Sequence, residues 1–290
     1  MPHVDRTITI VRPGLGLALY YREPAQRLVS TVRALLDQYF AIIPAGVITQ
    51  RCGNAWGKFT PAALTRDLNR LAAHDDEYVN IELGSGDVLE SEGPYGWHLN
   101  GGNLGLDEAD PTWPDNTNMV IAEFPLEDLD RIGADALEEW VVSQVELAPV
   151  ESAQFGYSFN QLQRSYTSEA DDFVEARALR WQGLDILEPD LAREARGHLP
   201  NVNWLTVLGD ALVAQVGGAS ALRAALPSAI RARTIRGGLL LRCAALPPVG
   251  DMNRDAADLE PLRAVAAATR ALRPQPIRTF YRNWVNRFDV

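Results

Sequence analysis

At 290 residues, with 47% apolar and 22% charged side chains, the chain has the make-up of a folded globular protein rather than a disordered one. A net charge of −11 argues against direct nucleic-acid binding, and no apolar run approaches the roughly 18–20 residues that span a bilayer. Cys52 and Cys243 lie in different halves, and Met1–Arg6 lacks the basic start of a secretory signal, so the expectation is a cytoplasmic protein with free thiols.

The charge is unevenly placed. Residues 1–150 carry 23 acidic and 10 basic side chains, whereas residues 151–290 carry 15 and 17. An acidic first half repels nucleic acid and steers basic partners toward itself.

In chain order, Thr7–Val11 and Leu15–Arg22 read as two strands joined through Pro13-Gly14. Val29, Val32, Leu35, Leu36 and Tyr39 recur at helical spacing, with Pro44 as the stop, and Val47–Gln50 reads as a strand. Thr60-Pro61 is a helix start, with Thr60 as N-cap and Pro61 at the first helical position. Tyr78–Leu83 then alternates as a strand with Ile81 and Leu83 on one face.

Residues 84–117 hold seven glycines, three prolines, Trp97, Trp113 and many carboxylates, and read as a binding loop around a short strand at Tyr95–Leu99. Met119–Phe124 is a strand, Leu126–Val145 an amphipathic helix, and Gln154–Phe159 a strand. That order echoes Leu15–Gln50, which leaves open two related βαβ-type halves. Beyond lie a helix near Asp171–Trp181, a short helix capped by Asp210 and closed by Gly217-Gly218, a strand over Arg233–Cys243, and a helix over Asp258–Leu272. Strands and helices without strict alternation point to an α+β protein with mixed or antiparallel sheets and packed helices. The organisation reads as an acidic half, 1–150, containing the 84–117 loop, and a further half, 151–290, as two units or one continuous domain.

Motifs of catalysis fail one by one. Gly14-Leu15-Gly16 has no third glycine at the required spacing, and the single lysine, Lys58, precedes Phe59, so neither a dinucleotide fingerprint nor a phosphate-binding loop is present. Gly156-Tyr157-Ser158-Phe159-Asn160 has asparagine where a nucleophile elbow needs glycine. The four histidines and two cysteines make no metal-ligand spacing, so no metal and no cofactor are expected. His98, beside Trp97, keeps an enzymatic alternative open, in which it works with a nearby carboxylate, and the carboxylates near residues 107–115 leave open a metal-dependent or glycosidase-type pair, although so dense an acidic loop is more often a solvated or partner-facing surface.

Leu199-Pro200-Asn201-Val202-Asn203-Trp204-Leu205-Thr206-Val207-Leu208-Gly209 resembles the signature stretch of the TsiV-type type VI secretion immunity family. Gly217-Gly218, Gly237–Leu241, Pro247–Arg254 and Trp284–Asp289 follow with similar order and spacing, so the resemblance covers roughly residues 150–290. It implies a cytoplasmic protein that binds a co-produced toxin and covers its active or DNA-binding site, with nucleases of the VRR-Nuc type among the targets. It names no catalytic residue. Asn203, Trp204, Gly209, Gly238, Gly250, Asp251, Asn253 and Arg254 read as structural members of the signature. The expected partner contacts are Trp97, Asp107, Glu108, Asp110, Trp113 and Asp115, aromatic anchors among carboxylates. The remaining alternative is a scaffold or ligand-binding protein without a toxin partner.

Overall fold

A computed structural model describes residues 11–23, 25–53, 56–73, 78–87, 91–102, 117–161, 168–187, 189–254, 257–274 and 281–288. Within them the protein is α+β, with nine helices and an 11-stranded, almost wholly antiparallel sheet. The strands are β1 (Val11–Tyr21), β2 (Gln50–Cys52), β3 (Trp56–Lys58), β4 (Tyr78–Asp87), β5 (Ser91–Gly102), β6 (Asn118–Phe124), β7 (Ser152–Gln161), β8 (Asp185–Ile186), β9 (Leu205–Gly209), β10 (Arg231–Ile235) and β11 (Gly238–Arg242). Their spatial order is β10-β11-β9-β7-β1-β6-β5-β4-β2-β3, and β8 joins β7 in the one parallel pairing among the described strands. Strand β1 sits between β6 and β7, so one sheet runs through both halves of the chain.

The helices are α1 (Val29–Ile42), α2 (Pro61–Ala73), α3 (Asp128–Ile132), α4 (Ala134–Val145), α5 (Ser168–Arg180), α6 (Asp210–Gln215), α7 (Ala219–Ala225), α8 (Glu260–Ala268) and α9 (Arg282–Val285). Alternation along the strands assigns them to two layers. On one face Leu15, Leu17 and Leu19 of β1, with Ala122 and Phe124 of β6 and Phe155 of β7, pack against α1, α2 and α4. On the other face Ala18, Tyr20, Met119 and Ile121 meet α5 and α9. Leu208, Leu239 and Leu241 on that same alternation meet α6, α7 and α8. The centre of the sheet is therefore buried on both sides, which is why β1 reads as a near-continuous apolar run.

Several expected elements take a different form. Most of the strand expected at Thr7–Val11 lies outside the described residues, and Pro13-Gly14 is no turn: both lie inside β1. Strand β6 ends at Phe124, opposite Leu15, so Pro13 has a sheet neighbour only in β7 and its missing N–H interrupts no ladder between two strands. Gly14 is needed because a Cβ there would come within 2.6 Å of the Phe124 carbonyl oxygen. Much of the expected loop 84–117 is strand, since β4 continues to Asp87 and β5 covers Ser91–Gly102; the glycines are accommodated within a paired hairpin that shifts register between Gly84 and Gly86. The single helix Leu126–Val145 is broken into α3 and α4 at Gly133, whose φ of 92° no helix allows. Arg233–Cys243 is a hairpin rather than one strand, turning at Gly237 with φ 81°. Asp210 does not cap α6 but is its first residue, after Gly209. Thr60 does cap α2, accepting the Ala63 N–H at 3.1 Å. The two strand–helix–strand stretches are crossovers on the same face: α4 spans from β6 to β7 over β1, and α1 leads from β1 to β2.

The β10–β11 hairpin is tied to α4 by charge. Arg231 and Arg242 stand directly opposite each other, an arrangement that repels unless an anion intervenes. The wholly buried Glu138 carboxylate supplies it, bonded to Arg231 and, at 2.8 Å, to Arg242. Arg242 also binds Asp135 and the carbonyl oxygens of Ala244 and Ala245, and Arg233 binds Glu139. Arg242→Ala should destabilise the protein by about 3 kcal/mol, the low end of the cost of breaking a buried pair because Arg231 still reaches Glu138. Urea unfolding measures this, and a loss below about 1 kcal/mol would show that water replaces the guanidinium without cost.

Candidate partner-binding surface

The signature residues form a buried polar brace behind β7. Asn203 accepts the Trp204 N–H through its side-chain oxygen at 2.7 Å. Its amide donates to the Tyr157 carbonyl and, at 3.1 Å, to Asp185 on β8. Room for this side chain depends on Gly156, where a Cβ would lie 2.1 Å from the Asn203 oxygen. Asn201 bridges two buried charges, donating to Asp185 at 2.8 Å and accepting from Arg287 at 2.9 Å. Arg287 also donates to the carbonyl oxygens of Gln182 and Trp284. Burial pushes the Asp185 carboxyl up to about 6 against the pull of Arg287 and the two asparagines, and pushes Arg287 down to about 9. Sequence patterning alone gives no sign of Asp185, which follows an ordinary turn, whereas Asn201 and Arg287 fall inside the signature blocks.

The other signature residues make their contacts within the chain. Trp204 is fully buried, donates from its ring N–H to Ala244 and lies under Arg242. Gly209 and Gly238 face each other across β9 and β11, and a Cβ on either would meet backbone oxygens at 2.2 and 2.1 Å. Gly250 takes a φ of 66° beside Leu259. Asp251 binds Arg180 through both oxygens and accepts the Asn253 N–H at 3.1 Å, while Arg254 approaches Asp251 at 3.8 Å from an exposed position.

Of the expected partner contacts, Asp107, Glu108, Asp110, Trp113 and Asp115 lie outside the described residues. Trp97 is corrected: it points from β5 into the core beneath the helices and is fully buried, so no partner reaches it. Its neighbour His98 projects to the opposite face, with Nε2 3.2 Å from the Glu123 carboxylate. Gly96 makes space for this contact, since a Cβ there would collide with Glu123. His98 is 7% exposed and Glu123 1%, which places the pair inside the protein rather than in an open cleft. Among the described residues no group of three or more His, Cys, Asp or Glu side chains is arranged to hold a metal ion.

The described surface has a different open feature. Because β6 stops at Phe124, the leading end of β1 and the adjoining part of β7 extend past it, and the chain turns away through Pro125 into α3. The recess left behind is a groove of about 680 Å³. Tyr157, Phe159 and Trp181 line it, and Leu126, Phe173 and Val249 stand on its walls. These last three are 38%, 45% and 42% exposed, and they are three of the five large apolar side chains so exposed among the described residues. Glu127 and Asp130 form one lip, exposed and with no ion pair among the described residues. The Asp130 charge adds to burial in raising the Tyr157 hydroxyl above its ordinary value. On the opposite wall the Arg177 guanidinium lies 3.2 Å above the Phe173 ring.

Clustered exposed apolar side chains, aromatic lining and a charged lip are the composition of a protein-contact surface. A family model described as type VI immunity for VRR-NUC, TsiV, matches residues 37–284. The chain belongs to the TsiV family of type VI immunity proteins. Its fold is similar to that of the Pseudomonas aeruginosa T6SS protein PA0821, with a TM-score of 0.80 at 18% identity, covering 99% of this chain and 88% of that one. At that identity the likeness is one of fold. No curated protein matches the chain.

The polar brace has a pH signature. The folded protein holds a proton on Asp185 up to about pH 6, whereas the unfolded chain releases it near 3.8. The stability this group contributes is therefore fully present below about pH 4 and lost as pH rises through about 6, a change of about 3 kcal/mol. Asp185→Asn removes the ionisation while keeping the size. Compared by urea unfolding at about pH 4.5 and pH 6.5, the wild type should lose more stability than the variant; equal losses would place the source of the slope elsewhere.

Proposed function

We propose that this protein binds and neutralises a type VI toxin of the VRR-Nuc nuclease type made by the same cell, covering its active or DNA-binding site with an acidic surface. The observation that carries the reading is the family match over residues 37–284. The charge supports it. A nuclease cleft that receives phosphates presents lysine and arginine, and a chain of net charge −11 whose first half holds the excess of carboxylates is complementary to it. In this reading the excess carboxylates of residues 1–150 supply the charge that attracts the partner, and residues 151–290 carry the family signature.

Neutralisation then needs no catalysis, metal or cofactor. It needs only fast capture in the cytoplasm, before the toxin cuts, and a slow release. No helix among the described residues is long and apolar enough to cross a membrane.

Co-expression with a VRR-Nuc toxin from the same genome tests the proposal. Growth should be restored, and the two proteins should co-purify as a complex. Association should slow by at least about tenfold between roughly 0.05 and 0.5 M salt, because screening shortens the reach of the acidic field. Failure to rescue or to form a complex would overturn the immunity assignment to that nuclease. Rescue without salt dependence would keep the partner and remove the electrostatic mechanism.

A further inference from the structure

We infer that the groove between α3, α5 and the leading end of β1 is the docking site for an apolar segment of the cognate toxin, one that carries lysine or arginine beside its large apolar side chain. The inference rests on the immunity function proposed for the chain and adds a location and a chemistry to it.

Three observations converge. First, the exposed apolar surface is concentrated rather than scattered: Leu126, Phe173 and Val249 come from separate parts of the chain and meet at one recess. Large side chains left in water on a concave wall gain free energy when a partner covers them, and single exposed ones on convex surface do so less. Second, the groove contains the residue types that dominate binding energy at interfaces, with Tyr157 and Trp181 below and Arg177 beside them. Third, the carboxylates on its lip are uncommitted. Asp135, Glu138 and Glu139 are bound to arginines of the β10–β11 hairpin, and Asp128 is bound to Arg131 at 2.6 Å. Glu127 and Asp130, on the same stretch of chain, have no such partner among the described residues. Arg12 and Arg177 also line the groove, with Arg177 stacked on the Phe173 ring and bonded to its carbonyl, so the negative charge is confined to the Glu127–Asp130 lip. A lysine or arginine of the partner pairs with that lip, and the apolar side chain beside it fills the recess.

The test uses the full chain and a catalytically disabled form of the VRR-Nuc toxin that it neutralises in co-expression, with Phe173→Asp/Val249→Asp, Glu127→Lys/Asp130→Lys and, as a control outside the groove, Leu246→Asp. Phe173, Val249 and Leu246 are at least 42% exposed, and Glu127 and Asp130 are exposed as well, so the variants should keep the wild-type melting temperature. The apolar double variant should bind at least about 100-fold more weakly and lose rescue, and Leu246→Asp should behave as wild type. The charge reversal should slow association and flatten its salt dependence. Groove variants that bind and rescue like wild type would overturn the site while leaving the immunity function intact. A wild-type chain that binds no such toxin and rescues from none would overturn the function and the site together. A wild-type dimer that dissociates in the apolar variant, with toxin binding unchanged, would give the groove to another copy of the chain and overturn the toxin as its occupant.

Discussion

A sheet this wide must bury both faces along its centre, and β1 is where that constraint is met. Its backbone bonds to β6 on one side and β7 on the other, so the two wings of the sheet are joined through it. Leu15, Leu17 and Leu19 are committed to one layer of helices, Ala18 and Tyr20 to the other. A slip of one residue would exchange the two sets and leave leucines where a tightly packed Ala18 now sits. Gly16 reinforces the register, since a Cβ there would collide with Leu187 and Ser158. The location of the groove is a consequence: it opens where β1 outruns β6 and loses one neighbour.

Charge is divided between holding the fold and facing outward. From composition, acid concentrated in residues 1–150 and base in residues 151–290 suggest a single acidic face. The structure shows part of that charge used internally, with the arginines of the hairpin bound to Asp135, Glu138 and Glu139 on α4. What remains available to a partner is a smaller set, of which Glu127 and Asp130 are the members placed beside exposed apolar surface.

How much of the fold is legible in the sequence depends on whether local chemistry or tertiary packing decides. The cap at Thr60, the apolar stripes of α1 and α2 and the strands at Ile81 and Met119 follow from period and capping, and all stand. Pro13-Gly14 misleads because proline usually ends a strand; nothing local reveals that β6 stops short of it. The glycines at 84–102 read as loop because glycine lowers strand propensity, yet Gly96 and Gly93 are there for close approach, to Glu123 and to the Ser85 carbonyl. Trp97 beside His98 resembles an exposed anchor only until the pleat is known, for adjacent residues on a strand face opposite ways and Trp97 takes the core side. The groove is invisible in the sequence for the same reason: its walls come from positions 126, 173 and 249, and no local pattern joins them.

The family signature and the recognition surface are physically different things. Asn201, Asn203, Trp204, Gly209, Gly238 and Arg287 are buried, bonded to one another or to backbone, and intolerant of added volume. Altering any of them costs stability whatever the target is. The exposed residues on the groove walls carry no such constraint, because an exposed Phe173 or Leu126 can be exchanged with little effect on the folded state. A family built this way can keep its scaffold and change its partner by changing a few surface side chains. That is why the blocks around Trp204 report the family clearly and are silent about which toxin this member captures.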